Sequence, residues 1–235
     1  GIKLEKSYVR KYPGKSFASH IIGKVDIDGK GISGVEKKLD NELSSSTDIY
    51  LSIDSGIQNI LKQLLLEQII KFQANAGAGI IMNANNGKIK AIVSLPDYDN
   101  NQNNTLSSKQ IFNNATKGLY ELGSTLKIFT AAMAIESGKL KDNELIDVSS
   151  PIALSRFQKI RDIKKINFPI NLAEIIVHSS NIGTAKIASS LGHMVQNKYF
   201  DLLGFSKKVN IEIVETSIPN INKEVHISSL MSKSF

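Results

Sequence analysis

An apolar run in the middle of the chain predicts its central helix. Residues 128–135 are apolar at nearly every position, and no Gly or Pro interrupts the pattern before Gly138. Good helix formers dominate the run and a polar face is almost absent. We therefore predict a helix from about Ser124 to Ser137 that is buried on nearly all sides. Gly138 is expected to end it.

A second helical pattern covers about Ser55 to Asn75. Its apolar residues recur at helical spacing on one broad face, which predicts an amphipathic helix. That face consists of Ile57, Ile60, Leu61, Leu64, Leu65, Ile69, Ile70 and Phe72. Asp54 or Ser55 can cap its first turn. Just before it, residues 49–53 alternate between apolar and polar as a strand does.

Two apolar runs follow, at about Gly79 to Asn83 and Lys88 to Val93. Asn86-Gly87 lies between them and favours the positive φ angles of a tight turn, so the pattern predicts a hairpin. Two antiparallel strands after a long helix indicate an α+β fold.

Shorter helical patterns follow toward the carboxyl end. One covers Asn171 to His178, the next ends near Gly192, and a third covers Met194 to Leu203. In contrast, residues 1–46 are rich in Gly and charge and hold too few apolar residues for a core of their own. We expect them to form an extended arm with turns that lies against another part of the protein, with Ser44-Ser45-Ser46 as a linker.

Ser124 and Lys127 form the first candidate site. The amino end of a helix favours negative charge, so an alkoxide at Ser124 would be stabilised there. Lys127 lies on the same helix face and can approach that hydroxyl. Burial lowers the pKa of an amine, which can then act as the base that a serine nucleophile needs. A Ser-x-x-Lys match also arises by chance, and a Ser at a helix start is commonly only an N-cap.

Ser179-Ser180-Asn181 forms the second candidate site, at a break between two helical patterns. A hydroxyl and an amide two residues apart can point into one cleft, where one moves a proton and the other orients a carbonyl. Alone, this pattern is more typical of a helix-capping turn than of a functional site.

Composition narrows the function further. The chain has 235 residues, 41% of them hydrophobic, and no Cys, so disulfides and thiolate metal sites are excluded. The four histidines lack a metal-ligand spacing, and no cofactor is expected. Although the net charge is +7, the lysines are scattered and aromatic residues are only 6%, which argues against a nucleic-acid partner. No run approaches the roughly 20 apolar residues of a membrane helix.

Taken together, the two motifs match the first two elements of the set Ser-x-x-Lys, Ser-x-Asn, Lys-Thr-Gly. The chain resembles class B penicillin-binding proteins, the peptidoglycan D,D-transpeptidases, and their cell-division branch more than their elongation branch. The resemblance also rests on ordered matches elsewhere. These are Arg10, Tyr12-Pro13-Gly14, Ala18-Ser19-His20, Gly23, Gly31, Gly34-Val35-Glu36, Leu51-Ser52-Ile53-Asp54, Gln58, Gly87, Ser94-Leu95-Pro96, Asp99, Asn101, Phe112-Asn113, Tyr120 to Lys127 and Ser179 to Gly183.

This resemblance implies a serine β-lactamase/transpeptidase-like α+β fold, with an antiparallel sheet and helices packed around a central buried helix and incomplete at the carboxyl end. Residues 1–46 would be the end of the non-catalytic pedestal domain with its linker, and residues 47–235 a partial transpeptidase domain. The full-length protein would be anchored by one amino-terminal membrane helix and face the periplasm, whereas this chain is expected to be soluble.

The resemblance also implies roles. Ser124, activated by Lys127, would attack the penultimate D-Ala carbonyl of a peptidoglycan stem peptide and form an acyl-enzyme that an amine resolves into a cross-link. Ser179 would relay a proton, and Asn181 would bind the substrate amide. No metal or cofactor is implied. Expected partners are stem peptides, β-lactam antibiotics and the membrane proteins of the division complex.

One departure from the family pattern concerns the third motif. No Lys-Thr-Gly occurs, and Lys233-Ser234-Phe235 lacks the Gly. The resemblance implies that this motif binds the substrate carboxylate and completes the oxyanion hole, so we expect weak or no acylation of this stretch by itself. The alternatives are a β-lactam sensor or division scaffold without turnover, and a serine β-lactamase. Against the latter stand the pedestal-like arm and the lack of an evident deacylating Glu.

Overall fold

A computed structural model describes residues 9–102, 106–141 and 143–219. The described chain forms two compact units. One extends to Gly118 and includes Val209–Ser217, and the other contains Leu119–Lys208. Within these ranges no helix is long and apolar enough to cross a membrane. Lys233-Ser234-Phe235 lies outside the described residues.

The first unit begins with three short helices, α1 (Ser19–Ile22), α2 (Gly34–Lys38) and α3 (Asp40–Ser44). The sequence predicted only an arm with turns here. It correctly placed this segment against another part of the protein, because Ile21 and Val35 pack with Ile92 in one apolar cluster. The predicted domain boundary at residues 46 and 47 stays a prediction.

Helix α4 (Ser55–Phe72) is confirmed, and so is its cap: the Asp54 carboxylate accepts hydrogen bonds from the backbone N–H groups of Gly56 and Ile57. Its predicted apolar face is only partly covered. Leu61, Leu65 and Ile69 pack on the following strand, where Gly77 and Gly79 allow close approach, since a Cβ on either would lie 3.0 Å from their methyl groups. Ile60, Leu64, Ile70 and Phe72 are exposed.

The hairpin consists of β1 (Gly77–Met82) and β2 (Ile89–Leu95), paired antiparallel with Ile80 opposite Ile92. Gly87 has a φ of 71° in the turn, as Asn86-Gly87 predicted. The strand predicted at residues 49–53 is wrong. That segment has no strand ladder, and it is held beside β2 by isolated contacts, such as the hydrogen bond that Ser52 Oγ donates to the Ile89 carbonyl at 2.6 Å. Helix α5 (Ser108–Ile111) follows the hairpin.

The second unit is built on α6 (Leu126–Glu136), which a 3₁₀ turn at Gly123–Thr125 precedes. The short hairpin β3 (Ile152–Ala153) and β4 (Lys159–Ile160) leads to α7 (Leu172–Val177) and α8 (Asn181–Leu202). Gly192 has non-helical angles, so α8 is two helical pieces, as the sequence predicted.

Helix α6 has the predicted extent, but the prediction that it is buried on nearly all sides is wrong. Met133 and Ala134 belong to the apolar core that α8 helps to build, whereas Ile128 is 59% and Ile135 is 63% exposed. These two residues lie about two helical turns apart, on one side of the helix. An apolar sequence shows which faces of a helix could be buried. The neighbouring elements determine which of those faces are covered.

Candidate active site

Ser124 lies in the 3₁₀ turn that starts α6. Gly123 before it has a φ of 55°, a left-handed conformation that glycine adopts at little cost. The side chain of Ser124 is exposed, whereas Leu126 and Lys127 are buried. The turn therefore presents the hydroxyl to solvent and directs the amine three residues later into the protein.

The second motif lies where α7 gives way to α8. A capping box between Asn171 and Glu174 starts α7. Beyond its end, Ser179 has a φ of 51°, a left-handed conformation that is unusual for a residue with a side chain and recurs at functional sites. Ser180 is fully buried and caps α8, because its Oγ accepts a hydrogen bond from Gly183 N–H at 2.9 Å.

The structure brings all four predicted residues together. Lys127 Nζ donates hydrogen bonds to Ser179 O at 2.6 Å, to Ser179 Oγ at 2.9 Å and to Asn181 Oδ1 at 2.5 Å. Ser179 Oγ in turn donates to Ser124 Oγ at 3.1 Å. Among the described contacts of Lys127, no hydrogen bond runs directly to Ser124. Ser179 thus connects the exposed hydroxyl of Ser124 to the buried amine.

The surroundings of Lys127 favour loss of its proton. Its side chain is only 3% exposed. Burial lowers the pKa of Lys127 below its ordinary value of 10.5, and the Asp162 carboxylate opposes this change. An amine in such a place exchanges a proton at a lower pH than a surface lysine does.

Two further residues, Arg161 and Asp162, belong to the site, and the sequence analysis did not single them out. Asn181 Nδ2 donates to the Arg161 carbonyl at 2.8 Å, so the side-chain amide is held with its oxygen toward Lys127. The Asp162 carboxylate accepts from Ser180 Oγ at 2.8 Å and from Ile182 N–H at 2.9 Å. Both residues come from an irregular basic segment, where a carboxylate between Arg161 and Lys164 gave no signal beyond that of a solvated surface.

The side chains of the site together offer the groups that acyl transfer uses. Across residues 9–102, 106–141 and 143–219, no group of three or more His, Asp and Glu side chains could hold a metal ion. The cluster of Ser124, Ser179, Lys127 and Asn181 has an exposed hydroxyl, a hydroxyl that can pass on a proton, a buried amine with a lowered pKa and an oriented amide. Those are the parts of nucleophilic acyl transfer.

Comparisons with known proteins show the family to which the chain is similar. The family model described as the penicillin binding protein transpeptidase domain matches residues 77–233, more than half of the chain. A Caulobacter vibrioides protein named "Probable peptidoglycan D,D-transpeptidase FtsI" is 32% identical over 240 residues, which cover 100% of this chain and 41% of that protein. The Escherichia coli protein named peptidoglycan D,D-transpeptidase FtsI is 25% identical over 240 residues, covering 91% of this chain and 40% of that protein.

Solved structures show the same fold. Penicillin-binding protein 3 of Mycobacterium tuberculosis aligns with a TM-score of 0.83 at 22% identity, covering 96% of this chain and 56% of that one. That protein has also been solved in complexes with aztreonam and with ampicillin. The chain spans less than half the length of the curated relatives named above. With the family match over residues 77–233 and the shared fold, we conclude that the chain belongs to the penicillin-binding protein transpeptidase family.

Proposed function

We propose that the protein is a class B peptidoglycan D,D-transpeptidase of the cell-division type, which cross-links stem peptides through an acyl-enzyme on Ser124. The observation that carries the proposal is the hydrogen-bonded series from Ser124 through Ser179 to Lys127, with an exposed hydroxyl at one end and a buried amine at the other. Relatives named FtsI support the division role.

In this proposal the reaction begins with a neutral Lys127. Both hydroxyl groups then rotate, so that Ser124 donates a hydrogen bond to Ser179 and Ser179 donates one to Lys127. As Ser124 Oγ attacks the penultimate D-Ala carbonyl carbon, its proton moves to Ser179 and the Ser179 proton moves to Lys127. The carbon–nitrogen bond breaks, the terminal D-Ala leaves with a proton returned along the series, and an ester on Ser124 remains.

The second half of the reaction uses the same groups in reverse. An amine from a neighbouring strand attacks the ester carbonyl, gives a proton to the series and receives the acyl group, and Ser124 regains its proton. Asn181, whose amide orientation the Arg161 carbonyl fixes, has a second N–H free of that bond, which would hold the substrate amide. A β-lactam carbonyl would be attacked in the same way.

Further assignments belong to the same proposal. The partners are stem peptides, β-lactam antibiotics and membrane proteins of the division complex. We place the full-length protein on the periplasmic face of the inner membrane, held by one amino-terminal anchor. Residues 1–46 would form the end of the pedestal domain and residues 47–235 part of the transpeptidase domain. The 235-residue chain contains no Lys-Thr-Gly, so by itself it should be acylated weakly.

A fluorescent penicillin tests the proposal in the full-length protein. We expect stoichiometric labelling that is lost in Ser124→Ala and kept in Thr125→Ala, which changes the exposed neighbouring residue. Labelling that persists in Ser124→Ala would refute the assignment of the nucleophile. Rapid hydrolysis of penicillin with many turnovers would identify a β-lactamase instead.

A further inference from the structure

Asp162 holds the start of α8 with both of its carboxylate oxygens. Oδ2 accepts from the Ser180 hydroxyl at 2.8 Å, and Oδ1 accepts from the backbone N–H of Ile182 at 2.9 Å. These two donors flank Asn181 on either side in the sequence. A carboxylate is also favoured at the positive end of a helix dipole. The contact thus fixes the backbone at the residue that points to Lys127.

Ser180 makes this contact specific. It is fully buried, and a buried hydroxyl without partners is costly. Its oxygen accepts from Gly183 N–H, and its proton goes to Asp162. The Ser180 hydroxyl has both its donor and its acceptor only when the loop that carries Asp162 lies against the first turn of α8. This requirement also holds Ser179 in its left-handed conformation, with its carbonyl and its hydroxyl both within hydrogen-bond distance of Lys127.

Asp162 also brings the negative charge to the amine. From the turn before α8, Lys127 meets Ser179 and Asn181, which are neutral. Asp162 lies in the segment before α7. Among the described residues, it is the charged group that acts electrostatically on Lys127. Burial lowers the pKa of Lys127, and Asp162 raises it back toward its ordinary value.

We propose that Asp162 is a positioning residue of the acyl-transfer site, which holds the Ser-x-Asn turn against Lys127 and places a carboxylate in the surroundings of that amine. The expected effect of Asp162 on the acylation rate rests on the proposed function. Its hold on the Ser-x-Asn turn does not. Asp162 does not touch the Ser124 hydroxyl and acts through Ser180, Ile182 and Lys127.

The kinetic test measures the rate of acylation by a fluorescent penicillin against pH in the full-length protein. The rate should rise with pH as Lys127 loses its proton, and then reach a plateau. In Asp162→Asn we expect the plateau to fall roughly 100-fold, the size of loss that a displacement of about 1 Å causes. Without the carboxylate the pKa of Lys127 falls, so the rising limb should also move to lower pH.

Two further variants separate geometry from charge. Asp162→Glu keeps the negative charge but carries it on a longer side chain. The rising limb of the pH profile should therefore stay close to its wild-type position, while the plateau rate falls. Ser180→Ala removes the hydrogen bond and keeps the carboxylate, with the same expected result. Asp201→Asn in the last turn of α8 serves as the control and should match the wild type. If Asp162→Asn reached the wild-type plateau rate, or if its rising limb lay at the same pH as in the wild type, the proposal would be overturned.

A second measurement does not depend on acylation. NMR titration of isotope-labelled lysine side chains, with the Lys127 signal assigned by its loss in Lys127→Arg, reports the Lys127 pKa directly. We expect a lower pKa in Asp162→Asn than in the wild type. An unchanged pKa would overturn the proposal even if the wild type failed to react with penicillin, and such failure by itself would count against the proposed function alone.

Discussion

Two buried amides of the first unit differ in their contacts from the buried lysine of the second. In the first unit, Gln58 bonds both the N–H and the carbonyl of Ile92 at 2.8 Å, and Asn100 donates to the Gly23 carbonyl. Such contacts with the backbone fix the path of the chain. In the unit of Leu119–Lys208, the buried Lys127 reaches two side chains, and one of them leads to the exposed Ser124 hydroxyl.

This difference separates structural polar groups from chemical ones. Gln58 and Asn100 are each only 2% exposed and bond to the backbone, so their amides are shielded from a ligand. A series of side chains that ends at an exposed hydroxyl can exchange a proton and bind a substrate. Replacing Gln58 or Asn100 should therefore reduce stability, whereas replacing Lys127 or Ser179 should reduce the rate of acylation in protein that remains folded.

Replacing Lys127 should have the largest effect. We expect Lys127→Ala to lower the acylation rate by about 10²–10⁴-fold, because the proposed base is lost. The control is Lys198→Ala on the exposed surface of α8, which should react as the wild type does. Stopped-flow or gel-based labelling with a fluorescent penicillin measures both. A Lys127→Ala protein that reacts at a normal rate would remove the distinction between the two units.

Gln58 should be the strongest case on the structural side. Gln58→Ala leaves the N–H and the carbonyl of Ile92 without their partner, at a cost of about 2–4 kcal/mol in the free energy of unfolding. Gln63→Ala, an exposed position of α4, is the matched control and should change little. Urea unfolding gives the free energies. An acylation rate per folded molecule that falls in Gln58→Ala would show that this amide also serves the chemistry.

Gly183 lies where packing and chemistry meet in the second unit. A Cβ at this position would come within 2.6 Å of the Ile175 side chain, so α7 and α8 would have to separate. We expect Gly183→Ala to cost about 1–3 kcal/mol of stability, the usual result of overpacking. Since the Ser-x-Asn turn lies between these helices, the acylation rate should fall as well. Ile175→Ala in the same protein would make room, and failure to restore the rate would contradict this explanation.

The smallest effect concerns pH and the first unit. Burial lowers the pKa of His20 below 6.5, although the Gln110 carbonyl, Asp97 and Glu215 oppose the change. The folded protein therefore holds a neutral His20 where the unfolded chain takes up a proton. Stability from this residue is complete above pH 6.5 and is lost as the pH falls toward the folded pKa, by at most about 1.4 kcal/mol per pH unit.

His20→Gln should reduce this dependence, because the amide keeps a donor for the Gln110 carbonyl and does not titrate in this range. The exposed His193 in α8 provides the control variant His193→Gln. Urea unfolding at several pH values between 5 and 8 is the measurement. Equal slopes for His20→Gln and the wild type would mean that His20 is not buried as described.

Local patterns predicted the four longest helices of the described residues, α4, α6, α7 and α8, and the hairpin of β1 and β2, but not the short helices α1, α2, α3 and α5. The Asp54 cap, the turn at Gly87 and the break between α7 and α8 each depend on residues that are close in the sequence. Residues 49–53 were predicted wrongly because a strand needs a partner that local alternation cannot supply. The exposure of Ile128 and Ile135 was missed for the same reason, since it depends on which elements lie beside α6.

The candidate site was predicted in part. Ser124, Lys127, Ser179 and Asn181 were recognised because their motifs resemble those of a known family, and their proximity follows from two helix starts that meet. Asp162 was missed because its partners Ser180 and Ile182 follow it by some twenty residues, across a hairpin exit and a helix. No periodic or spacing rule connects positions across such a segment.

Peptide mapping by mass spectrometry tests the central claim most directly. The full-length protein is incubated with benzylpenicillin, digested and searched for the acylated residue, alongside Lys127→Ala. The account predicts one acyl adduct on Ser124 in the wild type and little or none in Lys127→Ala. An adduct on another residue, or an unmodified Ser124 in a protein that binds penicillin, would contradict it.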